Sequence, residues 1–189
     1  MDSLANRTQK VVLETHRLRF ATWVREDWEE FGKLTSDPLV VRYISTGEPW
    51  PDERVKEFVA RQCENWEERR ICLWKLLPKD SDTLIGICGL QQLPGTPDVE
   101  IGWWLAPSHW GQGLATEAAR QALAYGFEVS HFDRMVAIAQ AANRDSLRVM
   151  DRIGMRFERE AMHKGIRVVV YTIERERYEA MHKKSGERA

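Results

Sequence analysis

The segment VEIGWWLAPSHWGQGLATEA, residues 99–118, restricts the fold more than any other part of the chain. A β-prone run ends at a proline-marked turn, crosses a loop with glycines at 111 and 113, and enters a helical stretch with no charge at its mouth. Such a strand–loop–helix unit turns free N–H groups, from Gln112 to Thr116, outward at the positive end of a helix dipole. That is an anion nest suited to a diphosphate. The same spacing fits equally a plain turn in which the glycines serve geometry alone. Two phosphate patterns are excluded: Gly113 is not followed by Lys-Ser/Thr, and Thr116 stands where a dinucleotide fingerprint needs its third glycine.

At 189 residues, 43% of them hydrophobic and eight of them Trp, the chain has enough material for one domain and its core. With 29 acidic and 28 basic residues the formal charge is −1, which argues against nucleic acid or an anionic membrane held by bulk charge. Cys63, Cys72 and Cys88 form no C-x-x-C pair and no zinc spacing with His; they are expected as three buried small hydrophobes rather than as a disulfide pair, which the sequence also allows, and no metal site is expected. No signal peptide and no run of 18 apolar residues is present, so a cytoplasmic protein is expected. Residues 1–10 are polar and residues 183–189 read as a loose tail, which makes 1–10 and 178–189 terminal extensions of a single domain at 11–177.

Asp27 and Glu30 have the spacing of a capping box ahead of Trp28, Phe31 and Leu34, and this helix stops near Asp37-Pro38. A second helix starts near residues 51–53 and repeats Val55, Phe58, Val59, Cys63 and Trp66 at helical spacing. Residues 71–77, 84–93 and 99–105 read as strands of an antiparallel meander, separated by clusters of turn formers. Residues 113–129 read as helix, 134–139 as strand, and 143–154 as helix with Gly154 as its left-handed end. Residues 157–162 and 166–173 close the chain as a hairpin. The fold class is therefore mixed α/β with a largely antiparallel front half.

Taken in order, the strand, the loop WGQGLATEA, the strand RMVAIA and the segment NRDSLRVMDRIGMRF resemble the GNAT superfamily of acyl-CoA-dependent N-acetyltransferases. The opening LETHRLRF, the Asp37-Pro38 pair and EIGWWLAP resemble its Rim-type branch, named for ribosomal-protein N-terminal acetyltransferases. The resemblance spans roughly residues 11–177. It implies an α/β (α+β) fold: a mixed, mostly antiparallel sheet of about seven strands, with helices on both faces and a splayed central strand pair at 99–105 and 134–139. It also implies that Gly111, Gln112, Gly113, Leu114, Ala115 and Thr116 cradle the diphosphate of acetyl-CoA. Trp103, Trp104 and Leu105 would then follow the pantetheine arm and thioester, and Asn143 would contact the same arm.

Three positions depart from the family pattern. Trp110 replaces the Arg or Gln that usually opens the diphosphate motif, Met150 replaces the tyrosine that often protonates the departing thiolate, and Ile138 stands where some members carry a carboxylate. Ser146, in the first turn after Asn143, is the substitute acid that the Rim-type branch implies; a helix-start Ser bonding locally to backbone explains it equally well. Glu100 alternates with Gly102 and Trp104 on one strand face and is the candidate general base acting through water, or else a solvated strand carboxylate. His109, His131 and His163 read as surface side chains.

An α-amino group, with an ordinary pKa of about 7.7–8.0, costs about 1 kcal/mol to neutralise at pH 7, whereas a lysine near 10.4 costs about 4–5 kcal/mol. Acetylation of a peptide or protein α-amine is thus the expected activity, with a main-chain amide near Leu105 holding the oxyanion. A small amine such as a polyamine, an aminoglycoside or an amino-acid analogue, held by Trp50, Trp103 and Trp104, is the second expectation. A non-catalytic acyl-CoA-binding sensor is the third. Surface tryptophans would favour a homodimer; the sequence does not say which tryptophans are exposed.

Overall fold

The computed structural model describes residues 9–186, so the polar stretch 1–8 and the last three residues lie outside the described chain. A hairpin opens it: β1 (Val11–Glu14) and β2 (Leu18–Ala21). A 3-10 turn (Arg25–Asp27), α1 (Trp28–Thr35), the short α2 (Pro38–Val41) and α3 (Asp52–Arg69) follow. Next come the meander β3 (Leu73–Pro78), β4 (Gly86–Gln92) and β5 (Val99–Leu105), then α4 (Leu114–Ala124), β6 (Arg134–Ala139) and α5 (Arg144–Arg152). The hairpin β7 (Arg156–His163) and β8 (Ile166–Glu174) and the helix α6 (Arg175–Gly186) complete the chain.

The strands form one open sheet in the order β1-β2-β3-β4-β5-β6-β8-β7. Every neighbouring pair is antiparallel except β5 and β6, which are parallel and joined through α4. This is the expected mixed, mostly antiparallel sheet, with eight strands among the described residues rather than about seven. Parallel neighbours need a long crossover connection, and the helix that the glycine loop opens is that connection.

Side-chain alternation assigns the two faces. Gly102 faces Leu73, and Trp104 stacks on Phe31 and Phe58 with ring centroids 6.1 and 5.8 Å apart, so α1 and α3 cover one face. On the other face Gly126, just past α4, abuts Met135 and Leu90, and Phe127 stacks on Tyr178 of α6 at 4.7 Å. The three cysteines are buried and form no disulfide among the described residues. Burial of one cation in the core is offset directly: Lys75, 2% exposed, pairs with Asp27 at 2.6 Å and donates to Gln9 at 2.7 Å.

Three local expectations are corrected. Asp27 and Glu30 form no capping box: Asp27 accepts from the Val24 N–H and pairs with Lys75, while Glu30 accepts from the Leu84 N–H at 2.8 Å. Partners distant in sequence claimed both carboxylates. The helix expected over 113–129 is α-helical only to Ala124 and ends in a π-helical turn, Tyr125–Val129, with Ser130 N–H bonded to Tyr125 C=O. That widened turn seats Gly126 where a Cβ would overlap Met135. The expected loose tail is helical as far as Gly186, since α6 docks through Tyr178, whose hydroxyl donates to Glu128 at 2.6 Å. No helix among the described residues is long and apolar enough to cross a membrane.

Candidate functional site

The parallel pair β5 and β6 touches at one bridge, Glu100 to Val136. Beyond it the strands part toward their carboxyl ends, the edge of an open α/β sheet where ligands bind. The β4–β5 register pairs Trp104 with Ile87 and Gly102 with Gly89, and Ala106 N–H donates to Ile85 C=O at 2.8 Å. Main-chain groups alternate sides along a strand, so those of Trp103 and Leu105 turn away from β4 into the gap. The Leu105 carbonyl confirms the direction: it accepts the Trp110 indole N–H at 2.7 Å, leaving the Leu105 N–H facing the opening. Across the gap Ile138 lies two residues past Val136 and turns its main chain the same way as Val136 does.

At the mouth of the gap stand the two loop glycines, Gly111 at φ +73° and Gly113 at φ +76°, both in the left-handed region that suits glycine. A Cβ on Gly111 would meet nothing within 4 Å, so the loop presents open space there. Gly113 is the N-cap of α4 and no side chain caps it, so the first N–H groups of α4 have no cap of their own. Leu114 and Thr116 are buried beneath the loop. The chemistry of this cradle, main-chain donors plus a dipole, fits a diphosphate.

One cleft of about 640 Å³ joins these parts. Glu100, Trp103, Trp104, Leu105, Gly111, Gly113, Leu114, Ala115, Thr116, Asn143 and Ser146 all border it, together with Arg42 and Tyr43 from beyond α2. Of the candidates for acyl-CoA binding and catalysis Gln112 alone does not, its side chain donating to Ser108 C=O and its own carbonyl accepting from Arg17; Trp50, a candidate for a small-amine slot, does not border it either. Trp104 borders the cleft, but its main chain belongs to the β4 ladder and its indole to an aromatic cluster. That cluster is not a slot for a ligand cation. Trp50 meets Trp104 edge-on at 5.3 Å, its face is covered by Arg54 at 4.0 Å, and Trp103 lies on the opposite strand face.

Glu100 sits at the root of the gap, 9% exposed, and accepts from Gln91 Nε2 at 2.8 Å. Burial pushes its carboxyl up to about 7, against the Gln91 bond and the positive charge of Lys164, which both favour ionisation. Asn143 Oδ1 accepts from the Ser146 N–H at 3.2 Å and so caps α5. The Ser146 hydroxyl is half-buried and has no hydrogen bond among the described residues. Met150 is buried and Ile138 half-buried. Sequence reading missed Gln91 and Arg17, whose roles depend on cross-strand register and on contacts far apart in the chain.

The family model described as Acetyltransferase (GNAT) domain matches residues 17–156. The uncharacterized protein YkkB of Bacillus subtilis (strain 168) is 35% identical over 79% of this chain and 88% of its own length. A GNAT-family acetyltransferase structure from Bacillus anthracis superposes with a TM-score of 0.73 at 29% identity, covering 87% of this chain and 98% of that one. A structure of RimL, a ribosomal L7/L12 alpha-N-protein acetyltransferase in complex with coenzyme A, superposes at 0.74 over 87% of this chain and 98% of its own; at 14% identity that likeness is one of fold.

Proposed function

The chain belongs to the GNAT acetyltransferase family, and from that premise we propose that it transfers the acetyl group of acetyl-CoA to the α-amino group of a peptide or protein. The observation that carries the choice of acceptor is Glu100, a buried carboxyl near pH 7 at the root of the cleft. Such a base is matched to an ammonium near 8 and too weak for a lysine near 10.4, about 3 units higher.

The main-chain donors of the 111–116 loop would hold the diphosphate, and the unpaired groups of Trp103 and Ile138 would bond the pantetheine arm. Asn143, with Oδ1 committed to the helix, has its amide nitrogen for the same arm. Glu100 takes a proton from the attacking amine, directly or through one water. As the new C–N bond forms, the Leu105 N–H donates to the carbonyl oxygen, where negative charge develops. The C–S bond then breaks as Ser146 Oγ donates a proton to the departing sulfur; Ser146 regains a proton from solvent and Glu100 returns its own there.

A polyamine is the weaker reading. A polycation needs carboxylates for its second ammonium, and among the described residues the cleft offers, besides Glu100, only Asp145, already paired with Arg148. Arg42, Arg144 and Arg152 border it as well.

Release of thiol from acetyl-CoA tests the reading against peptides with free or blocked N-termini, lysine peptides and spermidine. Turnover is expected only with a free N-terminus. Preference for lysine or spermidine would overturn the acceptor, and thermal stabilisation by acetyl-CoA without turnover on any amine would make the protein a binding module.

A further inference from the structure

Arg17, in the motif LETHRLRF, lies 95 residues before Gln112 in sequence, yet its side chain reaches the glycine loop. Arg17, in the turn between β1 and β2, donates from Nη1 to the Gln112 carbonyl at 2.9 Å. The same guanidinium grips Glu117, in the first turn of α4, from Nε at 2.7 Å and from Nη2 at 2.6 Å. The other oxygen of Glu117 accepts from the Arg17 main-chain N–H at 2.9 Å and from the Thr15 hydroxyl at 2.6 Å. The first hairpin is thereby bolted to the mouth of α4.

We propose that Arg17 is a positioning residue for the diphosphate of acyl-CoA, holding the Gln112–Gly113 peptide and the Glu117 carboxylate at once. The inference rests on the acyl-CoA reading of the loop. In a trans peptide the C=O and the following N–H point in opposite directions. Fixing the Gln112 carbonyl on Arg17 therefore fixes the Gly113 N–H on the other side, and a cation bonded to that carbonyl polarises the N–H into a stronger donor. The second action is electrostatic. Contrary to the expectation of a helix mouth without charge, Glu117 in the first turn of α4 is an anion close to where the phosphates would sit, and Arg17 neutralises it. Bonds from Thr15 and Arg17 outweigh burial and hold that carboxyl below its ordinary value, so it is ionised whenever the cleft would be loaded. Trp110, at the head of the loop, carries no charge, so the guanidinium bonded to the loop comes from another element, as Arg17.

Calorimetry with coenzyme A, together with steady-state kinetics in acetyl-CoA, tests this on the whole chain. Arg17→Ala is expected to weaken coenzyme A binding by about ten- to hundredfold and to raise KM for acetyl-CoA in step, with kcat changed less than about threefold. Arg17→Lys, which keeps the charge but cannot fork between two acceptors, is expected to lie between wild type and Arg17→Ala. Adding Glu117→Gln to Arg17→Ala is expected to regain part of the loss by removing the bare anion. If Arg17→Ala does not fold, Arg17→Lys alone decides. Coenzyme A binding within twofold of wild type in whichever variant decides overturns the inference, as does a loss in kcat with KM unchanged. No heat in the wild-type protein overturns the acyl-CoA reading itself, and the inference with it.

Discussion

Gln91 and Glu100 stand directly opposite each other across β4 and β5, and the Gln91 amide donates to the Glu100 carboxylate at 2.8 Å. The bond favours the ionised form of a group that burial drives toward the acid. Gln91→Leu is therefore expected to move the apparent pKa of kcat/KM upward from about 7, by about one unit for the loss of one charge-assisted bond. The pH–rate profile measures it. An unmoved profile would detach the pair from catalysis.

Glu100→Gln removes the base without changing its size. Wild-type kcat/KM is expected to climb with pH through about 7 as Glu100 loses its proton. The variant is expected to lack that limb and to run about 10²–10⁴-fold slower at pH 8. A variant that keeps both rate and limb assigns the base elsewhere.

The same substitution carries a stability prediction of opposite sign. The folded-state pKa of Glu100, about 7, lies above its ordinary 4.5, so folding favours the proton. That contribution is whole below 4.5 and is lost as pH rises through about 7, a change of about 3 kcal/mol at most. Thermal melts should find Glu100→Gln gaining on wild type from pH 5 to pH 8, whereas a constant difference would deny the shift.

Gly113→Ala strains the backbone rather than the packing, since φ is +76° and the nearest atom to a new Cβ is 3.8 Å away. An L-residue there costs about 1–2 kcal/mol. A lower melting temperature and weaker coenzyme A binding are expected together. Loss of stability with undiminished binding would argue that the loop serves the turn alone.

Ser146 and Asn143 separate in the same way. Asn143→Ala removes the α5 cap and is expected to cost about 1 kcal/mol of stability. Ser146→Ala keeps the N–H that Asn143 binds, so stability should hold while kcat falls by about tenfold or more. An unchanged kcat would mean that the sulfur takes its proton from another donor.

The meander, β6 and β8 were legible because each is an apolar run bounded by turn-forming residues; β5 and β6 lie at 99–105 and 134–139 as read. The hairpin β1–β2 carries no clear strand signal in the sequence, because its strands are four residues each and pairing with β3 defines it. The α6 helix was hidden because half of its residues are charged and it is anchored through the buried Tyr178, far from any regular apolar stripe. Gly111 and Gly113 could be read because a positive φ selects glycine over other side chains. Gln91 and Arg17 could not, since nothing local distinguishes a glutamine on a strand or an arginine in a turn. Register and a loop 95 residues away decide what they do.

The single bridge between β5 and β6 makes the sheet two panels hinged at Glu100. A molecule laid in the opening would act as the missing seam, stitching the panels by main-chain bonds that the polypeptide leaves unmade. Occupancy should then stiffen the whole architecture: amide hydrogen exchange along residues 101–105 and 136–139 should slow with coenzyme A, and the melting temperature should climb with its concentration.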